Sequence, residues 1–155
     1  MACAFAECFE WFCSNRSELE SRWLGLRKKL LDTLVDVEHC FVLGTPEESL
    51  PNTLNLGFQG ISAESLLICL DLDGIAVSSG SACSSGAMEA SHVLLAMGYS
   101  HEQAKSSLRI SMGWNTSEED IEELSRQLIH HVKRLTPISG KSDSNIQIPE
   151  PVTET

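Results

Sequence analysis

Residues 75–97 read IAVSSGSACSSGAMEASHVLLAM, and this stretch decides how the chain is divided. Around Cys83 stand only Ser, Gly and Ala, which bury little apolar area and leave the backbone free to approach another group closely. The segment is predicted to be a loop with Cys83 near its tip. A Gly/Ser linker, or a small buried thiol behaving as a hydrophobe, is the plainer use of such a pattern. However, the apolar run at 75–77 feeds the loop and an apolar-periodic helix over 91–97 follows it. The loop therefore sits inside one domain rather than between two.

Upstream, Ala2, Phe5, Phe9 and Phe12 fall at spacings that fit one face of a helix. Cys3, Cys8 and Cys13 are five residues apart, which rewards neither a helix face nor a zinc knuckle, so they read as buried or incidental thiols. Ser17 with Glu20 reads as a capping box opening a second helix, with Leu19, Trp23, Leu26, Leu30 and Leu34 as its apolar stripe. Arg27, Lys28 and Lys29 read as a solvated turn of that helix. Residues 40–43 form a short apolar run bounded by Gly44 and Pro46, a predicted strand, and 53–58 alternate as a half-buried strand should. Ser62 caps a helix that turns Leu66, Leu67 and Leu70 inward, with Cys69 expected in the core. Asp73-Gly74 then turns the chain into the strand leading to the Cys83 loop.

Downstream, Gly98 closes the short helix and Ser100 with Gln103 opens another through a capping box. Leu108, Ile110 and Met112 alternate with Arg109 and Ser111, a strand carrying a guanidinium on its polar face. Thr116 with Glu119 is read as the start of the last helix, where Ile121, Leu124, Leu128, Val132 and Leu135 keep helical spacing up to Pro137. The tail over 138–155 is predicted to be disordered. The order of elements gives an α+β fold, a small and mostly antiparallel sheet covered by helices.

The 155 residues hold 22 acidic against 11 basic side chains, a formal net charge of −11, which opposes binding to nucleic acid or to an anionic membrane. Six cysteines without matched close spacing, and an opening segment interrupted by Glu7 and Glu10, predict a cytoplasmic protein with free thiols. His101 is expected to be solvated in the first turn of its helix, and His92 is a weak candidate too. The adjacent His130 and His131 cannot share a helix face as ligands would.

Four stretches, taken together, carry a resemblance: LPNTLNLGF over 50–58, ESLL over 64–67, VSSGSACSSGAMEASHVLLAMG over 77–98 and SSLRISMGWNTSEEDIEEL over 106–124. They resemble, in the same order, the smaller C-terminal part of cysteine desulfurases of the NifS/IscS type, pyridoxal-phosphate enzymes of the class V aminotransferase family. The resemblance implies the C-terminal domain of a fold-type I pyridoxal-phosphate enzyme over 16–136, an inter-domain helix cut short over 1–15, and a tail over 137–155. It implies that Cys83 takes sulfur from L-cysteine as a persulfide while alanine is released, and that Arg109 holds the substrate carboxylate. Delivery to a sulfur-acceptor protein, for instance in iron-sulfur cluster assembly, and a homodimer are implied as well.

None of the five lysines (Lys28, Lys29, Lys105, Lys133, Lys141) lies in a motif like the family's cofactor site. No cofactor is therefore expected on this chain alone, and no metal site is expected either. The chain by itself is predicted to be inactive, and a stand-alone sulfur-accepting thiol module or an inactive remnant is the alternative. Ala90, Leu95 and Trp114 depart from residues common in the family, proline at the first and arginine at the other two.

Overall fold

The computed structural model describes residues 2–79 and 89–136, with side chains from residue 3. The Cys83 loop, Lys141 and the predicted tail lie outside them.

The two helices predicted at the start are one. Helix α1 runs unbroken through Ala2–Leu34. Ser17 lies inside this helix and caps nothing; its carbonyl accepts from Ser21 Oγ at 2.9 Å, and Glu20 pairs with Arg16 Nε at 2.7 Å. A capping box needs a chain that arrives non-helical, and the preceding residues hold neither Gly nor Pro to break the turn. Leu19, Trp23, Leu26, Leu30 and Leu34 are buried as the stripe predicts. Arg27 is not solvated: it is buried, and its Nη1 donates to the Leu50 carbonyl at 3.3 Å. Lys29 reaches across to Glu118 and Glu122, at 2.7 Å each.

Strands β1 (Cys40–Leu43), β2 (Thr53–Phe58), β3 (Ser78–Ser79) and β4 (Ser107–Ser111) form a sheet of order β1-β2-β4-β3 in which every neighbouring pair is antiparallel. The apolar run at 75–77 is not part of it; only the two serines that follow make the ladder. Between the strands lie α2 (Ala63–Leu72), capped by Ser62, α3 (His92–Ala96), capped by Ser91, and α4 (His101–Lys105), with the capping box of Ser100 and Gln103. Gly74 and Gly98 both sit at positive φ, where a glycine avoids the strain that a side chain would bring. Helix α5 (Glu118–Leu135) begins one residue later than expected, with Ser117 and Asp120 as its capping box. Thr116 instead accepts from the Gly113 N–H at 2.8 Å.

Alternation along the strands sends Leu54, Leu56, Phe58, Leu108 and Ile110 to one side, where α1, α2 and α5 cover them in the main core. Among the described residues the other side is covered at one end, by a small cluster of Leu43, Leu94 and Ala104 against which Phe41, Leu95 and Tyr99 pack.

Candidate functional site

The uncovered end of that second side is polar. Across the ladders Asn55 stands opposite Arg109, and Arg109 stands opposite Ser78, so the three share one row of the sheet. Arg109 is exposed, and among the described residues nothing accepts a hydrogen bond from its guanidinium or pairs with it. An arginine serving only the surface is expected to find an acidic neighbour, and Glu48, which lines the same cleft, makes no ion pair with it. The cleft has a volume of about 410 Å³ and is bounded by Arg109 and Asn55 from the sheet, Gly44 to Ser49 on one side, and Ser91, Val93, Leu94 and Met97 of the α3 segment on another. A free planar fork of donors at the floor of a half-apolar cleft suits a carboxylate.

The walls are fixed by local chemistry. Gly44 takes φ +82 and donates its N–H to the Tyr99 hydroxyl at 2.8 Å, tying the turn after β1 to the α3–α4 segment. Phe41 lies across Gly57, so close that a Cβ there would meet its ring at 2.3 Å. Ser107 Oγ donates to the Ala104 carbonyl at 2.8 Å, locking α4 to the start of β4. The polypeptide leaves the described sheet at Ser79, beside Arg109, and re-enters at Glu89, two residues before Ser91 of the cleft. Cys83 lies between, outside the described residues.

Of the two readings of Cys3, Cys8 and Cys13, buried or incidental, the second holds: all three are exposed, because α1 extends beyond the body that covers its second half. Cys40 is half-buried, and burial pushes its thiol up to about 11. Cys69, expected in the core, is half-buried outside it, and Arg134 Nη2 donates to its sulfur at 3.0 Å. His101 is exposed in the first turn of its helix, as read, and His92 is exposed in the first turn of α3. His131 was missed: it is buried, with Nε2 2.6 Å from Asp73 Oδ2 and Nδ1 without a partner. Its place three residues after Leu128 put it on the apolar stripe, and that spacing was the available signal.

No group of three or more potential metal ligands occurs among the described residues, and no described helix is long and apolar enough to cross a membrane. The described lysines do not fit an imine-forming role in this cleft. Lys28 and Lys29 are held by carboxylates of Asp32, Glu118 and Glu122, Lys105 and Lys133 are exposed on helices, and none lines the cleft.

The sequence pattern of the aminotransferase class-V family matches residues 1–124. The chain is similar to "Cysteine desulfurase IscS 1" of Archaeoglobus fulgidus, 36% identical over 135 residues, covering 87% of this chain and 35% of that relative. It is 40% identical over 128 residues to "Cysteine desulfurase NifS" of Azotobacter vinelandii, covering 82% of this chain and 32% of that relative. A solved structure titled "NIFS-LIKE PROTEIN" superimposes with a TM-score of 0.73 at 28% identity, over 84% of this chain and 32% of that one. The chain thus spans about a third of the length of the relatives it matches, and its α+β fold is that of the matching part of the solved NifS-like structure.

Proposed function

Because the chain belongs to the aminotransferase class-V family, we propose that it supplies the carboxylate-binding and sulfur-accepting part of a cysteine desulfurase. Arg109 receives the carboxylate of L-cysteine, and Cys83 accepts the sulfur as a persulfide as alanine is released. The observation that carries this reading is the free Arg109 guanidinium in the cleft, on the strand next to β3, from which the chain departs toward Cys83. The desulfurase names of the relatives support the same chemistry. Pyridoxal phosphate fits no described lysine, so no step through it is assigned to these residues. A sulfur-acceptor protein, iron-sulfur cluster assembly and a cytoplasmic setting belong to the same proposal. The boundaries at 16 and 136 belong to it too, with residues 1–15 acting as an inter-domain segment.

The test is a chimera in which this chain replaces the matching third of the Archaeoglobus fulgidus relative. Cysteine turnover is expected, and Cys83→Ser should abolish persulfide and alanine together. Arg109→Lys keeps the charge and loses the fork, so KM for cysteine should rise about tenfold or more with little change in melting. An unchanged KM would remove Arg109 from the site. The chain alone, given cysteine, pyridoxal phosphate and a reductant, should yield neither sulfide nor alanine.

A further inference from the structure

The stretch LPNTLNLGF over 50–58 holds two asparagines, and the fold uses the side chain of one of them. Asn52, just before β2, donates from Nδ2 to the Met112 carbonyl at 3.3 Å, and its own carbonyl accepts from the Met112 N–H at 2.8 Å. It ties the start of β2 to the end of β4. Asn55, inside β2, is half-buried, and among the described residues its side-chain amide makes no hydrogen bond. Asparagine is depleted in strands, and a half-buried amide without a partner works against the fold rather than for it. Its neighbours along the row are Leu43 of β1 and Arg109 of β4. Leu43 is buried in the small cluster with Leu94, so one flank of Asn55 is dry. The other flank is the free guanidinium. Ser78, at the far end of the row, already donates its hydroxyl to the Ser79 carbonyl at 3.2 Å. Two uncommitted polar side chains, Asn55 and Arg109, thus stand side by side on the floor of the cleft.

We propose that Asn55 is a second donor to the carboxylate that Arg109 receives, and that it sets how that carboxylate sits. The inference rests on the reading of Arg109 given above and adds a specificity residue to it. Directly opposed residues on antiparallel strands hold their Cβ atoms about 5 Å apart, so one small ligand meets both side chains. A carboxylate offers about four lone-pair sites, and an arginine fork fills two of them. The Asn55 Nδ2 fills a third from the sheet side. The asparagine side chain is short and the arginine long, so the amide fixes the depth of the ligand while the guanidinium closes over it. Being neutral, the amide also leaves the positive charge of Arg109 to the ligand, whereas an aspartate in its place would take that charge for itself. A fork and an amide set at fixed positions match the two oxygens of a planar carboxylate better than they match a spherical anion such as chloride.

The test is a titration of the full nitrogen-15-labelled chain with acetate and, separately, with L-alanine, read on the Asn55 Nδ2 and Arg109 Nε signals. Both signals should move together, with one dissociation constant for each probe, while chloride at the same ionic strength moves neither. Asn55→Ala should weaken acetate binding, followed at Arg109, about tenfold or more. Melting should hold, since the amide has no partner in the fold. Asn55→Asp should abolish the binding, because the new carboxylate occupies the guanidinium. In the chimera described above, the Asn55→Ala loss should fall on KM for cysteine rather than on kcat. An Asn55 signal that stays still while Arg109 moves would overturn this inference and leave the role of Arg109 standing. Neither signal moving would remove Arg109 from the site and Asn55 with it. Chloride acting as acetate does would reduce the pair to a general anion site. Tighter binding of L-alanine by Asn55→Asp would set position 55 against the ammonium group instead, which also overturns the proposal.

Discussion

Arg109 and Asn55 face each other across the β2–β4 ladder on the side of the sheet that the main core leaves open. The guanidinium has no partner of its own among the described residues, so its cost and benefit to folding are both small. Arg109→Ala should therefore change stability by no more than about 0.5 kcal/mol. Urea unfolding of the chain measures it directly, and a loss several times larger would make Arg109 a structural residue.

Gly57 is bound to Phe41 by space rather than by conformation. A methyl group at 57 would force the Phe41 ring away, and overpacking of this kind costs about 1–3 kcal/mol, with the low end expected because a ring can swing. In a Phe41→Ala background the same Gly57→Ala change should cost nothing or stabilise. A double-mutant cycle showing simple additivity would deny that the two residues meet.

The half-buried Cys40 thiol, pushed up from 9.0 to about 11, ties stability to alkaline pH. Between those values the unfolded chain has released a proton that the folded chain still holds, so stability is level below pH 9 and falls as pH rises toward 11. The loss attributable to this thiol is on the order of 2 kcal/mol. Cys40→Ala should lack that part of the decline, compared under reductant at pH 8 and pH 10.5. Parallel curves for the two proteins would show that Cys40 is not protected by burial.

His131 is buried and meets the partly exposed Asp73 carboxylate, while its Nδ1 is already unpaired among the described residues. Asp73→Ala leaves the other nitrogen unpaired too and should cost about 1–3 kcal/mol. His131→Leu removes both polar atoms and keeps the volume, so it should cost less. The opposite order in thermal melts would mean that packing of the ring, not its hydrogen bonding, matters at this position.

Local chemistry made most of the fold readable. Strands 40–43 and 53–58 and the caps at Ser62 and Ser100 depend on residues adjacent in sequence, and each was found where read. The errors came where two local signals competed. Ser17-Glu20 has the letters of a cap, but the helix arriving from residue 2 had already satisfied the backbone donors. Thr116 and Ser117 are both good caps, and Thr116 was taken by Gly113. Arg27 looked solvated because charge says nothing of a carbonyl 23 residues away that would draw it inward. Of the site, Arg109 was legible from the alternation of its strand. Its row-mates Asn55 and Ser78 were not, since register across the sheet is a property of three strands together. Composition reads Cys83 as the tip of a loop, and that reading lies outside the described residues.

The two sides of the cleft do not have the same lifetime. Arg109 and Asn55 belong to strands backed by the main core, whereas the opposite wall belongs to the α3 segment, a five-residue helix that joins α4 and β1 in a cluster of three buried side chains, Leu43, Leu94 and Ala104. Amides of β2 and β4 should exchange with deuterium only at the rate of global unfolding, while those of α3 and α4 should exchange through a cheaper local opening that leaves the sheet intact. The cleft can therefore widen and close repeatedly within the life of one folded molecule, a breathing motion that admits and releases small solutes while the guanidinium stays where it is.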